Sequence, residues 1–400
     1  MNIIQQYSNK EVSFRYNGKN LHFFLSQALF SSFDIDRGSR LLLKTLVKPP
    51  RQIPEDAKVL DMGCGTGVLG ISLKTAFPLY SITMQDRDAL AVYFAGENAK
   101  RNGLKNIPVV TGLAFQNLRE DTFDLIVSNL PAKAGAPVLR EFLAKMLAFL
   151  SPEGLCAVVV VNPIADFVKE TIENLGGAIT YSEENRDYSV FHFTGTHTNF
   201  SPADREFSLV PYIRNTQDFK AEGITYTLKT AYNIPGFDTV PYDSLLTVYA
   251  AEKKMISGNI FIWNPGQGHI PLILLSADSS RVKNLTLASG DSLQLEVSLE
   301  NCRNFFPGIP VETSTAPDIF TALERINYDS FIINQAALEN RKILPSIIDT
   351  VFHAAAESGT LVLTGKSAIL SEISRDHHGW KLAGSKKYRG FRILILKKGK

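Results

Sequence analysis

Three cysteines in 400 residues, Cys64, Cys156 and Cys302, sit far apart and form no CxxC pair. Such spacing signals neither a zinc site nor a disulfide framework. Charge of one sign is also lacking, since 42 Lys and Arg against 40 Asp and Glu leave +2. So balanced a chain is not held to nucleic acid by bulk charge, and any polyanion must meet a local patch. The longest apolar runs, such as Leu155 to Val161, have strand length rather than membrane length. The opening Met-Asn-Ile-Ile-Gln-Gln reads as no signal peptide. None of the seven histidines has metal-ligand spacing, and His377 and His378 are adjacent in a polar stretch. A content of 44% hydrophobic and 20% charged residues excludes disorder and stapled miniatures. What remains is a soluble, cytoplasmic chain, too long for one ordinary core and so expected as two domains.

Short β-type runs alternate with longer amphipathic stretches, the pattern of a parallel sheet with helical crossovers. Strands are expected at Lys58–Asp61, Ser81–Gln85, Ile107–Val110, Phe123–Val127 and Leu155–Val161, with helices at Ala89–Arg101 and Val138–Leu150. The second half replays this order. Phe33-Asp34 and Leu41-Leu42 recur as Phe237-Asp238 and Leu245-Leu246, an offset of 204. Asp88 and Asn98 recur as Asp291 and Asn301 at 203, and Asp124, Asn129 and Gly154 as Asp329, Asn334 and Gly359 at 205. A nearly constant offset implies tandem duplication of one α/β domain. The expected division is 1–200, with a lead-in segment 1–50, and 206–400, joined through the polar stretch Thr196–Arg205.

The sharpest local signal is Val59-Leu-Asp-Met-Gly-Cys-Gly-Thr-Gly-Val-Leu-Gly70. An apolar strand enters a turn with Gly63, Gly65 and Gly67, then a helix starting near Val68. Glycines allow positive φ and let a ligand lie against bare backbone, while the helix start offers free N–H groups. Alone, such a turn could hold a dinucleotide, a nucleoside or nothing. Two acids narrow it. Asp86, 25 residues beyond Asp61, stands where a carboxylate accepts both hydroxyls of a ribose. Asp61 inside the turn repels a pyrophosphate but suits an amine-bearing cation, which favours S-adenosylmethionine over NAD.

Asp-Met-Gly-Cys-Gly-Thr-Gly resembles the cofactor loop of class I S-adenosylmethionine-dependent methyltransferases. The preceding Leu29-Phe-Ser-Ser-Phe-Asp-Ile-Asp-Arg-Gly-Ser-Arg-Leu-Leu-Leu43 resembles the corresponding segment of the ribosomal RNA guanine N2 methyltransferases with small or tandem domains. The likeness spans roughly Phe23 to Gly195. It implies a Rossmann-like domain in which Asp61, Gly63, Gly65 and Gly67 hold the cofactor and Asp86 its ribose. It also implies that the segment with Asp36, Gly38 and Ser39 closes over that cofactor. Read without the resemblance, Ser39 marks the capped start of a helix.

After the fourth strand that family carries Asn/Asp-Pro-Pro and then an aromatic or apolar residue; here the chain reads Ser128-Asn-Leu-Pro-Ala-Lys-Ala-Gly135. An Asn side-chain oxygen and a backbone carbonyl can accept the two hydrogens of an exocyclic amine, aiming its lone pair at the methyl group. The resemblance places Asn129 and Pro131 in that catalytic role, with no metal required. Leu130 stands for the first proline. Ala132 stands for the aromatic and offers no face for a flipped base, and Leu113 stands where relatives carry a polar residue near the adenine. Asn129 either orients a nitrogen nucleophile, caps a strand end, or sits in a site that binds without turnover. Phe23, Phe24, Phe30 and Phe33 read as core.

The second copy has Ile262 for Asp61, Asn264 for Gly63 and Ser289 opposite Asp86, and Asn334-Gln-Ala-Ala337 holds no proline. It reads as a degenerate domain kept for packing or RNA contact. Its order is reversed relative to the tandem family, where the degenerate copy comes first. The last twenty residues, 381–400, carry eight basic residues and no acidic one, with Tyr388 and Phe391 interleaved. Such a hairpin could follow a phosphate backbone or guard a sheet edge. The expected activity is methylation of an amino nitrogen, ribosomal RNA guanine N2 foremost. The rivals are a non-catalytic RNA- or protein-binding factor and a methyltransferase for protein or small molecules.

Overall fold

The computed structural model describes residues 2–30, 33–49, 51–119, 122–195, 202–323, 328–334, 343–373 and 379–399. Outside them lie Ser31 and Ser32 of the lead-in, residues 196–201 of the join, 335–337 beyond Asn334, His377 and His378, and Lys400. The chain divides into two compact units, Met1–Pro211 and Tyr212–Lys400.

The first unit opens with α1 (Ile3–Tyr7) and the hairpin of β1 (Ser8–Tyr16) and β2 (Lys19–Ser26). Its turn is Asn17-Gly18, with φ of +44° and +77°; Asn-Gly is the pair that tolerates the tight turn matching strand twist. Then follow α2 (Arg37–Leu46), β3 (Lys58–Met62), α3 (Val68–Ala76), β4 (Ser81–Asp86), α4 (Ala89–Arg101), β5 (Val109–Thr111) and β6 (Phe123–Asn129). The unit ends with α5 (Ala136–Ala148), β7 (Leu150–Val161), α6 (Ala165–Asn174), β8 (Gly177–Glu184) and β9 (Tyr188–Gly195). Seven strands pair in the order β5-β4-β3-β6-β7-β9-β8, with β9 antiparallel to both neighbours. Strand order reverses between β3 and β6, which opens a crevice at their C-terminal ends. Phe23, Leu25, Leu42, Leu43, Val59 and Val127 form the core beneath it.

Most boundaries move by one or two residues, and β5 runs Val109–Thr111 rather than Ile107–Val110; two further shifts have local reasons. Pro137 in the first turn of α5 lets that helix begin at Ala136 rather than Val138. Ser151-Pro-Glu-Gly reads as a breaker, yet Leu150 pairs with Phe123 across a register shift, so β7 starts five residues before Leu155.

The second unit repeats the first: β10 (Ile213–Ala221), β11 (Ile224–Ala231), α7 (Tyr242–Glu252), β12 (Gly258–Trp263), α8 (His269–Asp278), β13 (Val282–Ser289), α9 (Ser292–Phe305) and β14 (Val311–Thr315). It continues through α10 (Ile319–Ala322), β15 (Tyr328–Asn334), α11 (Leu344–Ala354), β16 (Ala355–Lys366), α12 (Ser367–Ile373), β17 (Trp380–Tyr388) and β18 (Phe391–Lys398). Its sheet order, β14-β13-β12-β15-β16-β18-β17, is the same sequence of positions. Three of the recurring landmarks do the same work in each copy. Asp88 and Asp291 cap α4 and α9 by accepting from Leu90 N and Leu293 N. Asn98 exchanges bonds with the backbone of Phe24 and donates to Thr66 O, as Asn301 does with Lys229 and Gln267 O. Asp124 and Asp329 accept from Lys58 N and Asn259 N. The fold is two tandem Rossmann-like domains.

All three cysteines are buried and free. Among the described residues no acidic, histidine or cysteine cluster could hold a metal ion, and no helix is long and apolar enough to cross a membrane.

Candidate active site

The turn after β3 is built from backbone bonds. Gly63 N and Cys64 N donate to Gln85 O at 2.8 and 2.9 Å, and Gly67 N donates to Cys64 O at 2.8 Å. Gly63, Gly65 and Gly67 take φ of +70°, +54° and +86°, where a side chain is strained. A Cβ on Gly63 or Gly65 would meet nothing within 4 Å, so these two present bare backbone to open space. Gly67 differs: its Cβ would stand 2.8 Å from Ile71 Cδ1, so that glycine serves packing.

Asp61, at the end of β3, is fully buried. Its Oδ2 accepts from Gly70 N at 2.8 Å, whereas Oδ1 has no hydrogen-bond partner. Burial pushes its carboxyl up to about 7; the Gly70 N–H opposes that rise and the Asp86 charge adds to it. A buried carboxylate oxygen left unpaired is costly, and an ammonium group of a ligand would satisfy it. Asp86 accepts from Gly65 N at 2.8 Å through Oδ2 and from Asp88 N at 3.0 Å through Oδ1, fixing the carboxylate beside the turn.

Asn129 closes β6, the strand neighbouring β3, and its amide nitrogen donates to Asp36 Oδ2 at 2.8 Å and to Ser39 Oγ at 3.2 Å. Asp36 caps α2 by accepting from Ser39 N at 2.9 Å, so the helix cap is Asp36, with Ser39 in the first turn. Leu130 N donates to Val159 O at 3.0 Å, a bond a proline there would lose. Pro131 lies exposed, its carbonyl accepting from Ala134 N at 3.0 Å in a turn.

One cleft thus gathers Asp36, Ser39, Gly63, Gly65 and Asn129. Asp61, Asp86, Gly38, Gly67 and Pro131 lie outside the cleft lining; Asp86 is tied to the turn at Gly65 N and Asp61 to the start of α3 at Gly70 N. Leu25, Ile35 and Phe30 supply apolar walls that motif reading did not single out. Leu25 and Ile35 come from separate elements and carry no local signal. Phe23 is core as expected, and Phe24 is half-buried with the Arg101 guanidinium 4.3 Å from its ring centroid. Phe30 and Phe33 are not core: they are 69% and 66% exposed, and Phe30 lines the cleft instead.

The second unit folds the same turn around its own side chains. Ile262 is fully buried, and Asn264, at φ +57°, takes the left-handed position of Gly63. Gly266 N donates to Gln294 Oε1 at 3.2 Å, where Gly65 has Asp86. Ser289 donates to Asn264 Oδ1 at 3.0 Å, and Gln267 accepts from Ala231 N and donates to Phe237 O.

A bare-backbone turn at the strand switch point, with a buried, half-paired acid behind it, defines a class I S-adenosylmethionine-dependent methyltransferase site in the first unit. The comparisons with known proteins agree. Residues 20–192 match the family model of the methyltransferase small domain. The chain is 31% identical over 186 residues to the uncharacterized protein YbxB of Bacillus subtilis, covering 46% of this chain and 90% of that one. It is 39% identical over 145 residues to ribosomal RNA small subunit methyltransferase C of Actinobacillus pleuropneumoniae, covering 36% of this chain and 43% of that one. The chain therefore spans less than half the length of that enzyme. A solved T. thermophilus 16S rRNA N2 methyltransferase, RsmC, in complex with AdoMet and guanosine, superposes over 99% of both chains with TM-score 0.67 and 16% identity, a likeness of fold. The chain belongs to the methyltransferase small-domain family and is an S-adenosylmethionine-dependent enzyme.

Proposed function

We propose that the first unit methylates an exocyclic amino nitrogen of small-subunit ribosomal RNA, guanine N2 foremost, in the cytoplasm. The observation that carries this reading is the pairing of two strand ends: the unpaired Asp61 oxygen behind the glycine turn and the Asn129 amide at the next strand. Asp61 would hold the amino group of S-adenosylmethionine, the backbone at Gly63 and Gly65 its body, and Asp86 its ribose hydroxyls. Bound there, the cofactor supplies an electrophilic methyl on a sulfonium. The Asn129 amide oxygen and the backbone shaped by Pro131 would accept the hydrogens of the acceptor amine and hold its lone pair in line. The RNA acceptor is supported by the names of the relatives that match the first unit and by guanosine in the solved neighbour. The second unit would dock RNA without turnover, its two acid positions being Ile262 and Ser289.

The test is methyl transfer from tritiated S-adenosylmethionine into ribosomal RNA, protein and metabolite fractions. Label should enter RNA and appear as N2-methylguanine after nuclease digestion. Label confined to protein or metabolites would move the reading to the corresponding acceptor, and absence of cofactor binding would leave a binding factor.

Ala132 provides no stacking face, but Phe30 lines the cleft and is exposed. Stacking of one base on an aromatic is worth about 1–3 kcal/mol. Phe30→Ala is accordingly expected to raise the acceptor KM about tenfold while calorimetry shows unchanged cofactor affinity. Ala132→Tyr in that background should recover most of the loss.

A further inference from the structure

We infer that Asp36 and Tyr188 form a positioning device that holds Asn129 in one amide orientation, a role nothing in the sequence pattern assigns to Tyr188. The inference rests on the proposed acceptor role of Asn129. The two ends of an Asn amide are nearly equal in shape and opposite in hydrogen bonding. A carboxylate only accepts, so Asp36 Oδ2 at 2.8 Å forces the Asn129 NH2 towards itself and leaves the amide oxygen as the acceptor. Ser39 Oγ at 3.2 Å receives the same NH2 group.

Asp36 must itself be fixed. Its Oδ2 accepts from Ser39 N at 2.9 Å, and its Oδ1 accepts from the Tyr188 hydroxyl at 3.2 Å. Tyr188 starts β9, and its backbone N–H is held by Asn185 Oδ1 at 2.8 Å. Burial and the Asp36 charge both push the Tyr188 hydroxyl up, so it stays a proton donor. Gly38 explains itself in this arrangement. A Cβ there would stand 2.8 Å from Tyr188 Cδ1 and 2.9 Å from Asp36 Oδ2, so the bare position seats the tyrosine ring against the carboxylate.

The second copy keeps a carboxylate against its asparagine but has lost the tyrosine hydroxyl that fixes it. At the offset of 204 set by Phe33-Asp34 and Leu41-Leu42, Asp36 and Gly38 become Val240 and Tyr242, and at 203 Tyr188 becomes Phe391. The Tyr242 and Phe391 rings now meet at 5.8 Å, and Asn334 bonds instead to the buried Asp243.

Asp36→Asn keeps a good helix cap while removing the acceptor-only partner of Asn129. Tyr188→Phe removes one hydroxyl. In both variants the melting temperature and the S-adenosylmethionine Kd should stay near wild type, within about threefold for Kd. Methyl transfer kcat should fall about tenfold in Tyr188→Phe and further in Asp36→Asn. The Asn129 side-chain NH2 signal, in 15N-labelled protein, should show slowed hydrogen exchange in wild type and lose it in Asp36→Asn. That signal reports on the device whatever the acceptor is, so a wild type without RNA methylation would sink the acceptor reading alone. Unchanged exchange and kcat in both variants would overturn the positioning role. A parallel loss of cofactor affinity would overturn it too, by assigning Asp36 to the cofactor.

Discussion

Asp61→Ala is expected to weaken S-adenosylmethionine binding about a hundredfold in calorimetry, the effect of deleting a charged acceptor for a buried amine. Oδ1 of this carboxylate has no partner in the protein while Oδ2 is held by Gly70 N, so the residue is oriented for a ligand it does not yet contact. The same site predicts a pH dependence. Asp61 titrates at about 7 in the folded chain against an ordinary 3.8, because burial disfavours its charge. A cationic amine binds the ionised form, so affinity should rise with pH through about 7, with proton release into the buffer below it. Stability runs the other way. Between about pH 4 and 7 the native state binds more protons than the unfolded one, so stability is full below that window and falls as pH rises through it. Asp61→Asn should flatten that slope in melting temperatures recorded from pH 4 to 8, while still abolishing tight binding. A variant that loses neither affinity nor slope would remove Asp61 from the site.

Asn129→Ala should do the opposite in kinetics. Cofactor affinity is expected within about threefold of wild type, while kcat falls about a hundredfold, the effect of losing the group that aligns the nucleophile. Asn129 lines the same cleft as Gly63 and Gly65, but its own bonds go to Asp36 and Ser39. Equal loss of cofactor affinity in Asn129→Ala and Asp61→Ala would merge the two roles and contradict the division of labour.

The parts of this site that the sequence announces are those set by local chemistry. Glycines at 63 and 65 follow an apolar strand and precede a helix, so the turn is visible as a string of residues. The duplication is visible because Asp88, Asn98, Asp124 and their counterparts cap and tie the same places at one spacing. What stays hidden depends on distant partners. Tyr188 lies 152 residues beyond Asp36, on an antiparallel strand whose alternation gives no sign of which side chain carries a bond to the cleft. By resemblance Gly38 belongs to the segment that closes over the cofactor; that it also seats this tyrosine ring is invisible in the motif. Phe30 and Phe33 read as core because four phenylalanines lie within eleven residues; two of them sit on β2 or its core, and two belong to the uncovered stretch before α2. The hairpins ahead of each sheet went unread, although Asn17-Gly18 in the first unit carries a tight-turn signature; Glu222-Gly223 in the second is a weaker one.

The buried Ile262 gives the history of this duplicated gene a direction. An aliphatic side chain in place of a desolvated, half-paired carboxylate spares the second unit the cost of a buried charge, so losing the cofactor acid would also make a sturdier fold. Gln294, Ser289 and Gln267 have since occupied the hydrogen-bonding positions around that bend. Reverting one residue would reinstate the discomfort without vacating those positions, which makes the decay of such a twin a ratchet rather than a reversible drift.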